Sequence, residues 1–143
     1  MAKVVLPRVH VMVLCDEIEP SSVEEDVFDL RGVRTHFIAP SFPYTHPQLS
    51  VYLQATGHEG TAVGWAVVSD PETDTQIYVS QQAEIPFDGP LSFVMVRWRL
   101  EDCSFPEPGV YYIEIHFDGK LVSERALILA QDDAVSTNGQ QIR

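Results

Sequence analysis

Residues 105–129, FPEPGVYYIEIHFDGKLVSERALIL, decide how this chain folds. Pro106 and Pro108 cannot donate to a strand ladder and Gly109 permits a sharp bend, so the run 110–117 starts cleanly after a turn. Asp118-Gly119 is a pair that tolerates positive φ at both positions, which favours a type I′ loop whose twist matches its strands. The spacing predicts one β-hairpin. Its phase needs a correction, because a two-residue loop sets Val122 opposite Ile115 on the inward face. Unbroken alternation from there would turn Glu124 inward and Leu127 and Leu129 outward. A β-bulge is therefore predicted between Ser123 and Ala126.

Upstream of the FPEPG turn, residues 91–100 read as a long strand with Val94, Val96, Trp98 and Leu100 inward and Arg97 and Arg99 on the other face. If this strand and 110–117 share a sheet, the inward faces match with Trp98 opposite Ile113. That register sets Arg97 against Glu114 and Arg99 against Tyr112. Residues 62–69 and 76–80 form a second hairpin across the polar turn Asp70-Pro71-Glu72-Thr73-Asp74, with Val63, Trp65 and Val67 on one face. Ile85-Pro86-Phe87 reads as a short edge piece, and Asp88-Gly89-Pro90 as a turn.

Residues 49–56 alternate strictly. Leu49, Val51, Leu53 and Ala55 are expected inward, and Ser50, Tyr52, Gln54 and Thr56 outward, with His58, Glu59 and Gly60 turning the chain. Pro40, Pro43 and Pro47 exclude a regular helix over 39–49 and predict a crossing between sheets pinned by Phe42 and Tyr44. Residues 33–38 are expected to form one further strand of a pair, after a turn or bulge at Gly32. Residues 8–15 form a central strand, apolar on both faces, with Val9, Val11, Val13 and Cys15 opposite His10, Met12 and Leu14. His10 reads there as a core or margin histidine, since no partner lies at ligand spacing.

Between them, residues 16–29 carry seven acids and no base. Ser22 with Glu25 could cap a short helix, but a loop leading into a strand fits better. After residue 130 the sequence QDDAVSTNGQQIR has too few apolar groups to offset the entropy of ordering it. The expected organisation is one domain over 1–130 and a polar tail over 131–143.

With 143 residues and 45% hydrophobic content, the chain can bury a core without metals or disulfides. A net charge of −12 disfavours binding to nucleic-acid phosphates or anionic lipid. No apolar run approaches the ~20 residues of a membrane span, and no export signal is visible in the first residues, so a cytoplasmic location is expected. Cys15 and Cys103 then read as reduced, buried, small hydrophobes, because no nucleophile signature surrounds either. No cofactor motif is present.

About eight short strands, turns rich in Pro and Gly, and no long helix imply an all-β protein. The expected architecture is an antiparallel β-sandwich of immunoglobulin-like or related topology, with a closed barrel as the alternative. Three groups of residues carry a resemblance: Leu14-Cys15-Asp16 ending the first strand; Phe42-Pro43 with His46-Pro47 before Leu49; and Phe105-Pro106-Glu107-Pro108-Gly109 with Asp118-Gly119. Over residues 9–129 the chain resembles a family of small bacterial β-sandwich proteins known only as a domain of unknown function. The resemblance implies the sandwich and no activity.

Three functions stay open. The first is a non-catalytic interaction module that binds another protein or a copy of itself, through a sheet edge or an aromatic loop presenting Phe42, Tyr44 and Tyr52. The second is a calcium-dependent binding module using Asp70, Glu72 and Asp74, although that turn lacks the glycine and longer ligand series of an EF-hand loop. The third is a hydrolase with paired carboxylates. Absence of any nucleophile, metal or phosphate motif places the interaction module first.

Overall fold

The structure is a computed structural model, which describes residues 6–89 and 91–132. The described residues form ten strands and no helix. They are β1 (Arg8–Pro20), β2 (Phe28–Val33), β3 (His36–Ala39), β4 (Tyr44–Thr56), β5 (Glu59–Asp70), β6 (Thr75–Val79), β7 (Ala83–Asp88), β8 (Val94–Phe105), β9 (Gly109–Phe117) and β10 (Lys120–Gln131). One sheet has the order β2-β1-β4-β8. The other has the order β3-β10-β9-β5-β6, with β7 also paired to β5. Every pairing is antiparallel except β3 with β10. The all-β sandwich expected from the sequence is the fold, with one parallel edge added.

The hairpin that opens the reading is present. Asp118 and Gly119 have φ of 50° and 82°, as a type I′ loop needs. The bulge falls earlier than expected, with the register shifting between Leu121 and Ser123. Val122 is the extra residue, and from there on the phase brings Leu127 and Leu129 to the core. A second bulge, between Val9 and Val11, brings Val9, Met12 and Leu14 onto one face of the central strand β1 and leaves Val11 and Val13 on the other. The expected pairing of faces in β1 was for this reason out of phase.

The register predicted for Trp98 against Ile113 is wrong, because β8 and β9 lie in different sheets. The FPEPG segment crosses between sheets instead of turning within one. Tyr111 explains the crossing: its hydroxyl donates to the carbonyl of Glu107 at 2.6 Å and accepts the Glu107 N–H at 3.2 Å, tying the bend back to β9. Phe105 and Tyr111 then pack edge to face at 5.1 Å.

Residues 33–38 are likewise not one strand. β2 ends at Val33 in one sheet and β3 starts at His36 in the other, so Arg34 and Thr35 make a crossing. The return crossing over 40–43 lies where the prolines placed it, with the Phe42–Pro43 peptide cis. Residues 16–20 extend β1, and the acidic stretch closes the β1–β2 hairpin as turns without a helix. The turn after β4 is at Gly57 and His58, and Glu59 and Gly60 already belong to β5. The long strand β8 is displaced from 91–100 to Val94–Phe105, leaving Leu91 94% exposed. Gln131 remains in β10, so the ladder outlasts the expected boundary at 130; the tail from 133 lies outside the described residues.

The core lies between the sheets. β5 faces it with Ala62, Gly64, Ala66 and Val68, small enough to let large rings in from the opposite strands. A Cβ at Gly64 would meet Phe117 at 2.6 Å. Its other face carries Trp65, stacked on His116 at 5.7 Å.

Candidate functional site

Two places in this sandwich combine polar chemistry with shape. The first stands where the chain leaves the four-stranded sheet and returns to it. Asp16 on β1 receives two hydrogen bonds from the Arg34 guanidinium, Nε to Oδ1 at 2.9 Å and Nη2 to Oδ2 at 2.7 Å. This fork geometry is the strongest form of such a pair. His46 on β4 sets Nε2 3.7 Å from Asp16 Oδ1, and its Nδ1 lies 2.7 Å from the Tyr44 hydroxyl. With the proton on Nε2, the Tyr44 hydroxyl donates to Nδ1 and Nε2 faces Asp16 from beyond hydrogen-bond distance. Phe37 on β3 stacks against His46 with ring centroids 4.0 Å apart, and the Arg34 guanidinium lies 5.1 Å from the Phe37 centroid. The Asp16 carbonyl accepts from Gln48 at 3.0 Å and Ser50 at 3.2 Å.

The electrostatics follow from this arrangement. The Arg34 hydrogen bonds hold the Asp16 carboxyl below the usual carboxylate range, and Asp16 raises Arg34 in return. His46 is pulled both ways: burial lowers its pKa, Asp16 raises it, Arg34 lowers it again, and burial wins. A neutral imidazole thus sits between a tyrosine and an ion pair. The Arg34–Asp16 fork and the Tyr44–His46 hydrogen bond tie both crossings of the chain to the sheet, and Asp16 and His46 also line a cavity of about 390 Å³. Gly32 completes the cluster, because a Cβ at its φ of 66° would run into the Asp16 carboxyl group.

The second place is the lateral opening of the sandwich beside β8. This strand pairs with β4 on one side and, among the described residues, with no strand on the other. Glu101 turns its N–H to the open side, where the Tyr78 hydroxyl accepts it at 3.2 Å. By the alternation of an antiparallel ladder, the N–H and C=O groups of Arg97 and Arg99 face that side too. Across the opening, β6 and β7 lie end to end along β5, joined at Ser80, whose N–H bonds the Ala66 carbonyl and whose hydroxyl accepts the Ala66 N–H. Between the two edges runs a groove of about 470 Å³. Tyr78, Gln81, Gln82, Arg97, Trp98 and Arg99 line it. The indole N–H of Trp98 is buried, and among the described residues it is the one buried side-chain polar atom without a hydrogen-bond partner.

The residues singled out in the sequence are dispersed. Phe42 and Tyr44 are half-buried and pack on the core, Tyr44 inside the Asp16 cluster. Tyr52 does point outward, but it is only 7% exposed because Phe28 lies 6.1 Å away and Gln54 donates to its hydroxyl. The three aromatics do not form one surface. Asp70 caps its own turn by accepting the Glu72 N–H at 3.0 Å. Among the described residues no group of three His, Cys, Asp or Glu side chains is placed to hold a metal ion, so Asp70, Glu72 and Asp74 are not brought together as ligands. Cys15 and Cys103 are free and buried, and burial pushes their thiols up to about 11 and about 12, away from nucleophilic use. Sequence reasoning missed Arg34, which no local signal marks, and the unanswered indole of Trp98.

Fold and sites define a two-sheet β-sandwich with a clamped crossing at one side and an open edge at the other. Residues 10–130 match the model of DUF6941, a family of unknown function, and the chain belongs to that family. No curated protein matches it. Two solved structures are similar in part: a β-glucosidase from Listeria innocua in complex with isofagomine, and the Pseudomonas fluorescens alkylpurine DNA glycosylase AlkC bound to DNA containing an abasic site analog. The first is 7% identical with a TM-score of 0.46, over 87% of this chain and 16% of that one. The second is 10% identical with a TM-score of 0.39, over 83% of this chain and 30% of that one. Neither score supports an argument from those proteins' chemistry. Among the described residues no helix is long and apolar enough to cross a membrane.

Proposed function

We propose that this protein is a non-catalytic interaction module that binds another protein by adding a strand to the free edge of β8. The observation that carries this reading is the 12-residue strand β8, which among the described residues is paired with a strand on one side only and is bordered on the other by a groove lined by Arg97 and Arg99. Strand addition draws its affinity from main-chain hydrogen bonds and its selectivity from pockets beside the edge. The other edges suit it less. β3 has four residues and β6 five; β7 carries Pro86 and β2 carries Gly32, which interrupt or twist a ladder. Charges on the outer face of β8 keep unrelated strands away, which restricts the edge to a matching partner.

A photoreactive amino acid placed in the cell at position 82, in the lining of the groove, with position 124 on the opposite sheet as control, tests this. One defined protein adduct from 82 and none from 124 is the expected result. Equal labelling from both positions, or none, overturns the edge reading. Turnover of a substrate that tracks with one carboxylate overturns the non-catalytic part.

A further inference from the structure

We infer that the partner strand is an extended acidic segment, with carboxylates two residues apart that meet Arg97 and Arg99. The inference rests on the edge-binding reading above and adds the chemistry of the occupant. The open side of β8 is rich in donors. It offers the guanidinium groups and, by strand alternation, the backbone N–H groups of Arg97 and Arg99, with the Glu101 side chain lining the same groove. A carboxylate that meets a guanidinium makes a charge-assisted hydrogen bond, roughly twice as strong as a neutral one, so an acidic strand gains most from this edge.

Neither arginine is held in a two-bond fork with a carboxylate. Arg97 lies over the Phe28 ring at 4.9 Å, and Arg99 reaches Glu101 at 3.7 Å, an exposed contact with none of the fork geometry of Arg34 and Asp16. Residues i and i+2 of a strand lie about 7 Å apart on one face, the same spacing as alternate residues of a neighbouring strand. Two acids flanking one residue therefore reach both arginines. The charge of −12 on the whole chain opposes an acidic partner at long range, but at physiological salt the screening length is about 8 Å and the contacting arginines dominate.

A second copy of this chain fits the edge poorly. Two β8 strands paired about Trp98 would set Arg97 of one against Arg99 of the other. Pairing about Leu100 would require the Glu101 N–H that Tyr78 already holds.

Isotope-labelled full-length protein titrated with capped seven-residue peptides tests the inference by NMR. One peptide alternates aspartate with valine or threonine, a second has asparagine for aspartate, and a third has lysine. The aspartate peptide is expected to shift the Arg97 and Arg99 amides and to move the indole resonance that disappears in Trp98→Phe. It should bind at least about tenfold more tightly than the asparagine peptide and weaken with salt. Arg97→Gln with Arg99→Gln, checked for fold by circular dichroism, should erase the preference for aspartate. Equal binding of the asparagine peptide overturns the acidic partner and leaves the edge reading standing. No shift in β8 with any peptide overturns both. Concentration-dependent broadening of β8 amides without peptide places a second copy at the edge and overturns the acidic segment alone.

Discussion

The Asp16 cluster and the β8 edge are made from the same ingredients, arginine beside an aromatic ring and a carboxylate, and they are finished differently. Arg34 lies near Phe37 and grips Asp16 with two short bonds; Arg97 lies over Phe28, and Arg99 meets Glu101 at a single longer distance. At the cluster, His46 Nδ1 and the Asp16 carbonyl also have hydrogen-bond partners. At the edge, β8 has no second strand among the described residues, and the buried indole N–H of Trp98 has no hydrogen-bond partner. Saturated polar groups hold a fold together, whereas unsaturated ones are left for something else to complete. Substitutions at the two places should accordingly separate stability from binding.

The largest effect is expected for Asp16→Ala, which strands Arg34 and removes the anion facing His46. Because the pair is partly exposed, the loss should be about 2 kcal/mol, below the cost of breaking a fully buried pair, with peptide binding at β8 unchanged. Urea unfolding measures it, and a loss under about 0.5 kcal/mol would show that the cluster is no clamp. Gly32→Ala should follow at about 1–2 kcal/mol, since the left-handed backbone penalises a side chain and the new methyl displaces the Asp16 carboxyl group. Tyr44→Phe removes the hydroxyl beside His46 Nδ1 and should cost about 1 kcal/mol.

Acid should act on the cluster in a definite sense. Burial holds His46 below its ordinary 6.5 in the fold, so the unfolded chain takes up that proton first and stability falls as the pH drops below 6.5. Asp16, held below 3.8, adds a second loss of the same sign under that value. Unfolding midpoints measured from about pH 8 to about pH 3 should show both steps, and His46→Gln should remove the upper one. The smallest effect on stability is expected at the edge. Arg97→Ala should change unfolding by less than about 0.5 kcal/mol while weakening any partner of β8. A stability loss comparable with that of Asp16→Ala would erase the distinction between the two places.

Much of the fold was legible because local rules settle it. Strict alternation from Leu49 to Ala55 put four residues in the core, all fully buried, and Asp118-Gly119 could hardly be anything but a hairpin loop. What local pattern cannot say is whether a proline-rich bend reverses within a sheet or passes to the other one. The pairing across FPEPG held only if both strands shared a sheet; they do not, and the Tyr111 hydroxyl that ties the bend to β9 has a backbone partner apparent only in three dimensions. The same limit hid the candidate sites. Asp16 and His46 stood in the motifs that carried the family resemblance, yet Arg34 joins Asp16 from 18 residues away, across a crossing that was read as continuous strand. Arg97 and Arg99 were rightly read as facing away from the core. The groove beside them needs β6 and β7 from the opposite sheet.

The parallel pairing of β3 with β10 sets an order on assembly. β3 is four residues long and, among the described residues, takes its one strand partner from their far end, where Gln131 also reaches back to the Pro40 carbonyl, 91 residues earlier. During synthesis β3 must wait, its backbone unpaired, until β10 has been made, although β1, β2 and β4 can already associate. Contacts so distant in sequence slow folding because a long loop must close before they form. Arg34, sitting between β2 and β3, can grip Asp16 during that interval and hold the short strand near its eventual place.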